Sequence, residues 1–357
     1  MKDTIGFGLI GLGEIAYKST GKLLQRTQNA RMVVGVDPVP EMAESYQETY
    51  GIPCSTDLED VLEHPEVDAV VISTPHNSHV ALGMEAARAG KHVVVEKPMA
   101  TTLEDADALI EACKDAGVLC SPKEGGVHYQ PTTVKARELI AQGAIGDVMA
   151  VYIVGAANKP DSYWTGGYTN RVQTTWRKFK EKAGGGILIM NYIYDIYRIR
   201  NVTGLEVVRV FAEYDTYRTP VEVEDFITVS FRFSNGALGN LTASSCAPGA
   251  SKAGMRGTHT KGNRIFGTEG QIVFADDELL VYSDCEIPGL ACGDWTQLSL
   301  SPEEPYVTYF DRFAEAVLKG ERAPIPAEEG RRDLEVILAA YESGRLNVPV
   351  YLDGAGV

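Results

Sequence analysis

In the first third of the chain, short apolar runs rich in β-branched residues alternate with longer stretches whose apolar positions recur at helical spacing. Ile5, Phe7, Leu9 and Ile10 form the first run, which predicts a strand buried on both faces. Ala16 to about Gln25 predicts a helix with Leu23 and Leu24 inward, and Met32–Val36 a second strand. Pro40–Tyr50 predicts a polar helix whose inner face is Met42, Ala43 and Tyr46. A short helix over Asp57–Leu62, capped near Ser55 or Thr56, leads to the apolar run Val67–Ser73. Next come a helix over Val80–Ala89 ended by Gly90, a strand over Lys91–Val95, a helix over Leu103–Ala116 ended by Gly117, and a short strand at Val118–Ser121. Such alternation predicts an α/β fold with a doubly wound parallel sheet, whose ligand sits beyond Leu9, Val36, Ser73 and Val95.

The pattern changes after that. Gln130–Gln142 predicts a helix ended by Gly143 and a turn at Gly146, and Val148–Val154 a strand. Asn158–Arg177 is aromatic and polar with few helix signals, and Gly184, Gly185 and Gly186 lead into a helix over Ile187–Asn201. From Leu205 to Phe274 the alternation is that of strands: Val207–Tyr214, Phe226–Phe233, Ala237–Ala243, Asn263–Gly267 and Gln271–Phe274, with Ser234, Asn235 and Gly236 as a hairpin turn. Ser251–Gly262, Gly- and Lys-rich and containing His259, reads as a surface loop. Tyr306–Leu318 and Arg331–Ser343 are amphipathic helices. These elements predict a C-terminal α+β domain, residues 123–357, with a mostly antiparallel open sheet, after an N-terminal domain at 1–122. One face of that sheet is suited to homo-oligomer contact.

Composition narrows the function classes. A length of 357 residues and a hydrophobic fraction of 44% suffice for two cores. The balance of 33 basic against 49 acidic residues, net −16, argues against nucleic acid and anionic membrane as partners. Six cysteines without a CxxC pair read as reduced thiols of a cytoplasmic protein. The N-terminus passes directly into the first strand, leaving no room for a signal peptide, and no apolar run reaches membrane-spanning length.

The chemistry gathers at the predicted strand ends. Gly11, Leu12, Gly13, Glu14, Ile15 and Ala16 form a GxGxxA loop: Gly11 allows a tight turn, Gly13 admits a pyrophosphate, and Ala16 keeps the next helix close to the sheet. The N–H groups around Glu14 and Ile15 then face the phosphates. Asp37, ending the second strand, is placed to accept hydrogen bonds from an adenosine ribose, favouring NAD. A glycine-rich turn that binds nothing is the alternative, but strand, loop, helix and acid occur here in order. Ser73, Thr74, Pro75, His76 and His79 read as a cofactor-facing loop; the two histidines could ligate a metal, but no third ligand stands at a usual spacing, so no metal is expected. Glu96, Lys97 and Pro98 close the next strand, and Lys97 is either a solvated charge or a general acid/base beside a nicotinamide. Trp176, Arg177 and the tyrosines before them suit a sugar ring, apolar on its C–H face and polar at its edge, and equally suit a structured surface loop.

Taken together, GLIGLGEIA, the VDP after the second strand, STPHNSH and VVVEKPMA resemble the glucose–fructose oxidoreductase and inositol dehydrogenase (Gfo/Idh/MocA) family, over nearly the whole chain. The resemblance implies an N-terminal Rossmann domain, NAD as cofactor, and a catalytic lysine that Lys97 matches. That family often has Asn where His76 stands. After its triple glycine it carries Asp, His and often a second Asp, where this chain has Met190, Tyr194 and Tyr197. Some sugar-oxidising relatives have Tyr in place of the His, so Tyr194 carries over as an acid/base.

The expected reaction is hydride transfer between NAD and a secondary hydroxyl of a sugar, cyclitol or glycoside; the resemblance implies carbon 3 as a site of oxidation where the substrate is a glycoside. Lys97 and Tyr194 share the proton, and Trp176, Arg177, Asn191 and Asp195 orient the remaining hydroxyls. Two other readings stay open: a redox glycosidase that recycles bound NAD, and a non-catalytic NAD- or sugar-sensing protein.

Overall fold

A computed structural model describes residues 3–168, 171, 173–250, 261–275, 277–301 and 304–352. The chain divides into two compact units. One comprises Met1–Gly126, Asp161–Gly184 and Pro305–Leu334; the other comprises Val127–Pro160, Gly185–Glu304 and Glu335–Val357.

The first unit is built on six strands: β1 Ile5–Ile10, β2 Ala30–Val36, β3 Cys54–Ser55, β4 Ala69–Ile72, β5 His92–Val95 and β6 Cys120–Pro122. They run parallel in the order β3-β2-β1-β4-β5-β6, the doubly wound arrangement expected from the alternation. Every residue of β1 and β4 is buried, which is why their sequences are continuously apolar. A single boundary after residue 122 was the expectation, yet this unit also takes in two later segments. Packing explains the second of them. Phe310 stands edge-on to Phe7, centroids 5.7 Å apart, and the Asp311 carboxylate accepts the N–H groups of Gln28 (2.8 Å) and Asn29 (3.0 Å). Tyr309 donates its hydroxyl to Ser121 Oγ at 2.7 Å, and Ser121 in turn donates to the Ile325 carbonyl at 2.7 Å.

The second unit carries a nine-stranded sheet: β7 Val148–Ala156, β8 Val207–Asp215, β9 Phe226–Phe233, β10 Leu238–Ser244, β11 Lys261–Gly267, β12 Gly270–Ala275, β13 Glu278–Ser283, β14 Asp294–Ser299 and β15 Val350–Tyr351. Its order is β14-β13-β12-β11-β7-β10-β9-β8-β15, antiparallel except where β7 pairs parallel with β10. Residues of β7 alternate: Val151 and Ile153 are buried, whereas Tyr152 and Val154 remain 50% and 43% exposed on the other face. The buried face is covered by helices that include Ile193–Thr203. Among the described residues, no helix is long and apolar enough to cross a membrane.

Candidate active site

The glycine loop leaves β1 through Gly11, whose φ of +87° suits a residue without a side chain. A Cβ there would stand 2.7 Å from Thr74 Cγ2 and 2.8 Å from the Ser73 carbonyl oxygen, so the glycine also lets the ends of β1 and β4 meet. Gly13 and Glu14 lead into a helical stretch that is π-form over Ala16–Thr20 and α-form over Gly21–Leu24, where a plain helix was expected. At the join of the two forms Gly21 lies against Tyr46 and Tyr50, whose rings leave no room for a Cβ. Asp37 is nearly buried, and its carboxylate accepts Leu12 N–H at 2.8 Å and Val39 N–H at 3.0 Å, tying the glycine loop to the end of β2. Each oxygen keeps acceptor capacity beyond that one bond. Ser73 Oγ, buried at the end of β4, has no hydrogen-bond partner among the described residues. A glycine turn tied to the acid that ends β2, and an orphaned buried hydroxyl at the end of β4, together fit a dinucleotide.

At the end of β4, Ser78 donates to the Pro75 carbonyl at 2.7 Å and its Oγ lies 2.8 Å from Thr74 Oγ1, which shapes the 3-10 turn His76–Ser78. His76 is buried, with Nδ1 2.7 Å from the Ala183 carbonyl oxygen and its ring centroid 4.4 Å from that of Trp176. Burial holds its pKa well below the usual histidine range, reinforced by the neighbouring His79. His79, read from sequence as cofactor-facing, has another task. It is fully buried, with Nδ1 2.8 Å from the Pro98 carbonyl oxygen and Nε2 3.0 Å from that of Thr74. With both ring nitrogens against backbone carbonyls, His79 fastens the turn after β5 to the loop after β4. The Lys97–Pro98 peptide in that turn is cis.

Glu96 was also assigned to the cofactor. Its carboxylate is instead committed to Lys123, whose ammonium lies 2.5 Å from Glu96 Oε1 and 2.8 Å from Thr20 Oγ1. Burial alone would raise the Glu96 pKa, but the charge and hydrogen bond of Lys123 outweigh it and the net shift is downward. Lys97, next in the chain, is partly buried, and its pKa falls to about 8. Desolvation is the main cause and the charges of Arg177 and Lys123 add to it, while Glu96 and Glu124 work in the other direction. The Arg177 guanidinium stacks on Trp176 at 4.4 Å and reaches the Tyr163 ring at 5.1 Å. The first unit therefore gathers Lys97, His76, Trp176 and Arg177, four of the residues picked out from sequence. Lys123 and Glu124 were missed, although they follow the end of β6, where the rule that ligands sit beyond strand ends would have found them.

Three predicted residues belong to the second unit, where the helix after the triple glycine is π-form over Leu188–Tyr192 and α-form over Ile193–Thr203. Asn191 and Tyr194 are partly buried. Asp195, expected to orient substrate hydroxyls, is buried and accepts from Arg198 Nη1 at 3.1 Å and Asn263 Nδ2 at 2.6 Å, so its first task is to hold the helix in place. Met190 is a core residue, and the buried Tyr197 has its hydroxyl 3.1 Å from His128 Nδ1. Burial, helped by the Arg137 charge, pushes His128 down to about 4. His259 lies outside the described residues.

Residues 5–124 match the model of the GFO_IDH_MocA oxidoreductase family, NAD-binding Rossmann fold, and residues 133–273 match the GFO/IDH/MocA C-terminal domain. The scyllo-inositol 2-dehydrogenase (NAD(+)) of Bacillus subtilis is 28% identical over 360 residues, covering 99% of this chain and 98% of that protein. The 1,5-anhydro-D-fructose reductase of Ensifer adhaerens is 30% identical over 238 residues, 65% of this chain and 67% of that protein. Among solved structures, the aldose-aldose oxidoreductase of Caulobacter crescentus complexed with glycerol superposes with a TM-score of 0.83 at 27% identity, covering 98% of this chain and all of that one.

Proposed function

This chain belongs to the Gfo/Idh/MocA family of NAD-binding oxidoreductases, and from that premise we propose that it transfers hydride between NAD and a secondary ring hydroxyl of a sugar, cyclitol or glycoside. The observation that carries the reading is Lys97: an amine at the carboxyl end of β5, its pKa brought down to about 8, with Trp176 and Arg177 gathered beside it. Bound NAD supplies the hydride acceptor for the alcohol carbon.

The remaining work falls to side chains of this protein. Gly11, Gly13 and the N–H groups around Glu14 and Ile15 would hold the pyrophosphate, while Asp37, Ser73 and Thr74 would hold the adenosine half and the strand-end loop. Lys97, half neutral near pH 8, accepts the hydroxyl proton as the carbonyl forms. Tyr194 is its partner in proton handling, and Asn191 offers amide groups to neighbouring hydroxyls. Trp176 presents an apolar face to the C–H side of a ring, and Arg177 presents donors to its edge. Relatives named for scyllo-inositol and 1,5-anhydro-D-fructose support a polyhydroxylated ring as substrate. We assign the finer preference, oxidation at carbon 3 of a glycoside, to the same aromatic stretch. The open face of the nine-stranded sheet, with Tyr152, Val154 and Phe266, supports a homo-oligomer. Six free thiols among the described residues support a reducing, cytoplasmic setting.

The test is a panel of inositols, aldoses and glycosides, followed by NADH absorbance and product mass. NADH formed together with a product two mass units lighter supports the reading. Loss of an aglycone without NADH accumulation replaces it with a redox glycosidase. NAD binding without turnover on any compound replaces it with a sensor.

A further inference from the structure

The helix that carries Tyr194 begins without a local cap. Its first backbone N–H groups lie in the interior, where unmet donors are costly. They are met from 36 and 38 residues away in sequence: Glu224, in the segment just before β9, takes Gly186 N–H on Oε2 at 2.6 Å and Leu188 N–H on Oε1 at 2.9 Å. The Glu224 main-chain carbonyl accepts Ile187 N–H at 3.2 Å. The Tyr341 hydroxyl, 2.8 Å from Glu224 Oε1, accepts Ile189 N–H at 3.3 Å. Four consecutive N–H groups are thus held by one glutamate and one tyrosine. The close fit is enforced by the glycines: a Cβ on Gly186 would come 2.0 Å from the Glu224 carbonyl oxygen, and one on Gly185 would come 2.3 Å from the Tyr341 hydroxyl.

We infer that Glu224, with Tyr341, is the positioning residue of the active-site helix: by anchoring the N–H groups from Gly186 to Ile189 it sets where Tyr194 and Asn191 stand. A carboxylate at a helix start is also favoured by the partial positive charge there. The inference rests on the proposed role of Tyr194 for its catalytic consequence, but not for its structural one.

The anchor is sensitive to pH. Burial pushes Glu224 up to about 7, against the lowering effect of its Leu188, Tyr341 and Gly186 hydrogen bonds. The titratable groups facing it are Tyr341 on the last helix and Tyr214 on β8; Asp225, next in sequence, turns its carboxylate to the N–H groups of residues 217–219. When protonated, Glu224 keeps one strong acceptor oxygen and gains a donor where N–H donors already point. The hold on the helix start therefore loosens as pH falls through about 7.

Glu224→Gln reproduces the protonated form at every pH and leaves side-chain volume unchanged. Wild-type kcat is expected to rise about tenfold across an acid limb near 7; in Glu224→Gln that limb is absent and kcat stays at the low level, with NAD affinity unchanged. Tyr341→Phe removes a hydrogen bond that favours the carboxylate and moves the limb to higher pH. Amide exchange of residues 186–189 gives a readout independent of turnover. Corrected for intrinsic rates, wild-type amides are expected to exchange about tenfold slower at pH 8 than at pH 6, and Glu224→Gln amides equally at both. Equal protection in wild type and variant at pH 8, or an unchanged kcat limb in Glu224→Gln, overturns the inference. If no compound is turned over but exchange follows Glu224, the anchor stands and only the catalytic reading falls.

Discussion

The Lys123 ammonium lies 2.5 Å from Glu96, the residue immediately before Lys97, and both partners are buried. Truncating one member of a buried pair leaves a charge without compensation, which costs about 3–5 kcal/mol. Lys123→Met is expected to lower the melting temperature by several degrees, read by calorimetry. Its second effect is electrostatic. Lys123 depresses the Lys97 pKa and Glu96 raises it, so removing Lys123 shifts Lys97 upward. If turnover needs the neutral amine, the limb near pH 8 moves to higher pH in the variant; an unmoved limb would show that Lys97 does not set it.

Lys97 itself gives the most direct test. Its folded pKa is about 8, so oxidation should accelerate as pH rises through that value and level off above it, and reduction should show the opposite trend. Lys97→Met and Tyr194→Phe should each lower kcat by about two to four orders of magnitude, the range for loss of a general acid or base. NAD affinity, measured by fluorescence titration, should change little. Wild-type rates in both variants would remove these residues from the mechanism.

Much of the first unit was legible because local signals agree with one another. The glycine loop follows a continuously apolar strand, and β4 and β5 are mostly β-branched, so the topology could be read from the sequence. What escaped is what joins residues far apart in sequence. Glu96 and Lys123 are 27 residues apart, and nothing local marks either as the other's partner. His79 carries the polar signature of a ligand-facing loop, and only burial shows that both its nitrogens serve the backbone. The inclusion of Pro305–Leu334 in the first unit depends on Phe310 meeting Phe7, which periodicity cannot reveal. Strands β13 and β14 were missed because they are buried on at most one face, β14 lying at the sheet edge with weak apolar content.

Asp37 anchors Leu12 N–H, and in the proposed cofactor site it is also the acid at the end of β2. Asp37→Asn can offer one carbonyl oxygen but turns an amide toward the second N–H donor. A hydrogen bond to a charged group contributes about 1.5–3 kcal/mol, so NAD affinity is expected to fall by about ten- to a hundredfold. Because the substitution also removes the negative charge that disfavours a 2′-phosphate, NADP should lose less affinity than NAD. Isothermal titration with both cofactors decides this; an equal loss for NAD and NADP would mean that Asp37 serves only the loop.

Gly11→Ala tests the cradle without altering charge. The new Cβ would meet the Ser73 carbonyl oxygen at 2.8 Å, and a φ of +87° is unfavourable for any L side chain. Backbone strain of this kind costs about 1–3 kcal/mol, and here the only relief is to separate the ends of β1 and β4. The variant should therefore show a lowered melting temperature together with a loss of NAD binding larger than the stability change explains.

The outer face of the nine-stranded sheet offers the last prediction. Along β7 the alternation places Tyr152 and Val154 outward, 50% and 43% exposed, and Phe266 on the paired β11 stands 5.9 Å from the Tyr152 ring. Arg264 and Val273 continue the same patch, a shallow apolar depression in the middle of a sheet rather than at an edge. Central strands have no unpaired backbone, so association here would proceed through side chains and would be driven by apolar burial. Val154→Arg places a charge at the centre of that surface without touching the inward residues Val151 and Ile153. If two copies meet on this face, light scattering should show wild-type assemblies and a dissociated variant with unchanged circular dichroism. An assembly that survives Val154→Arg must use another surface.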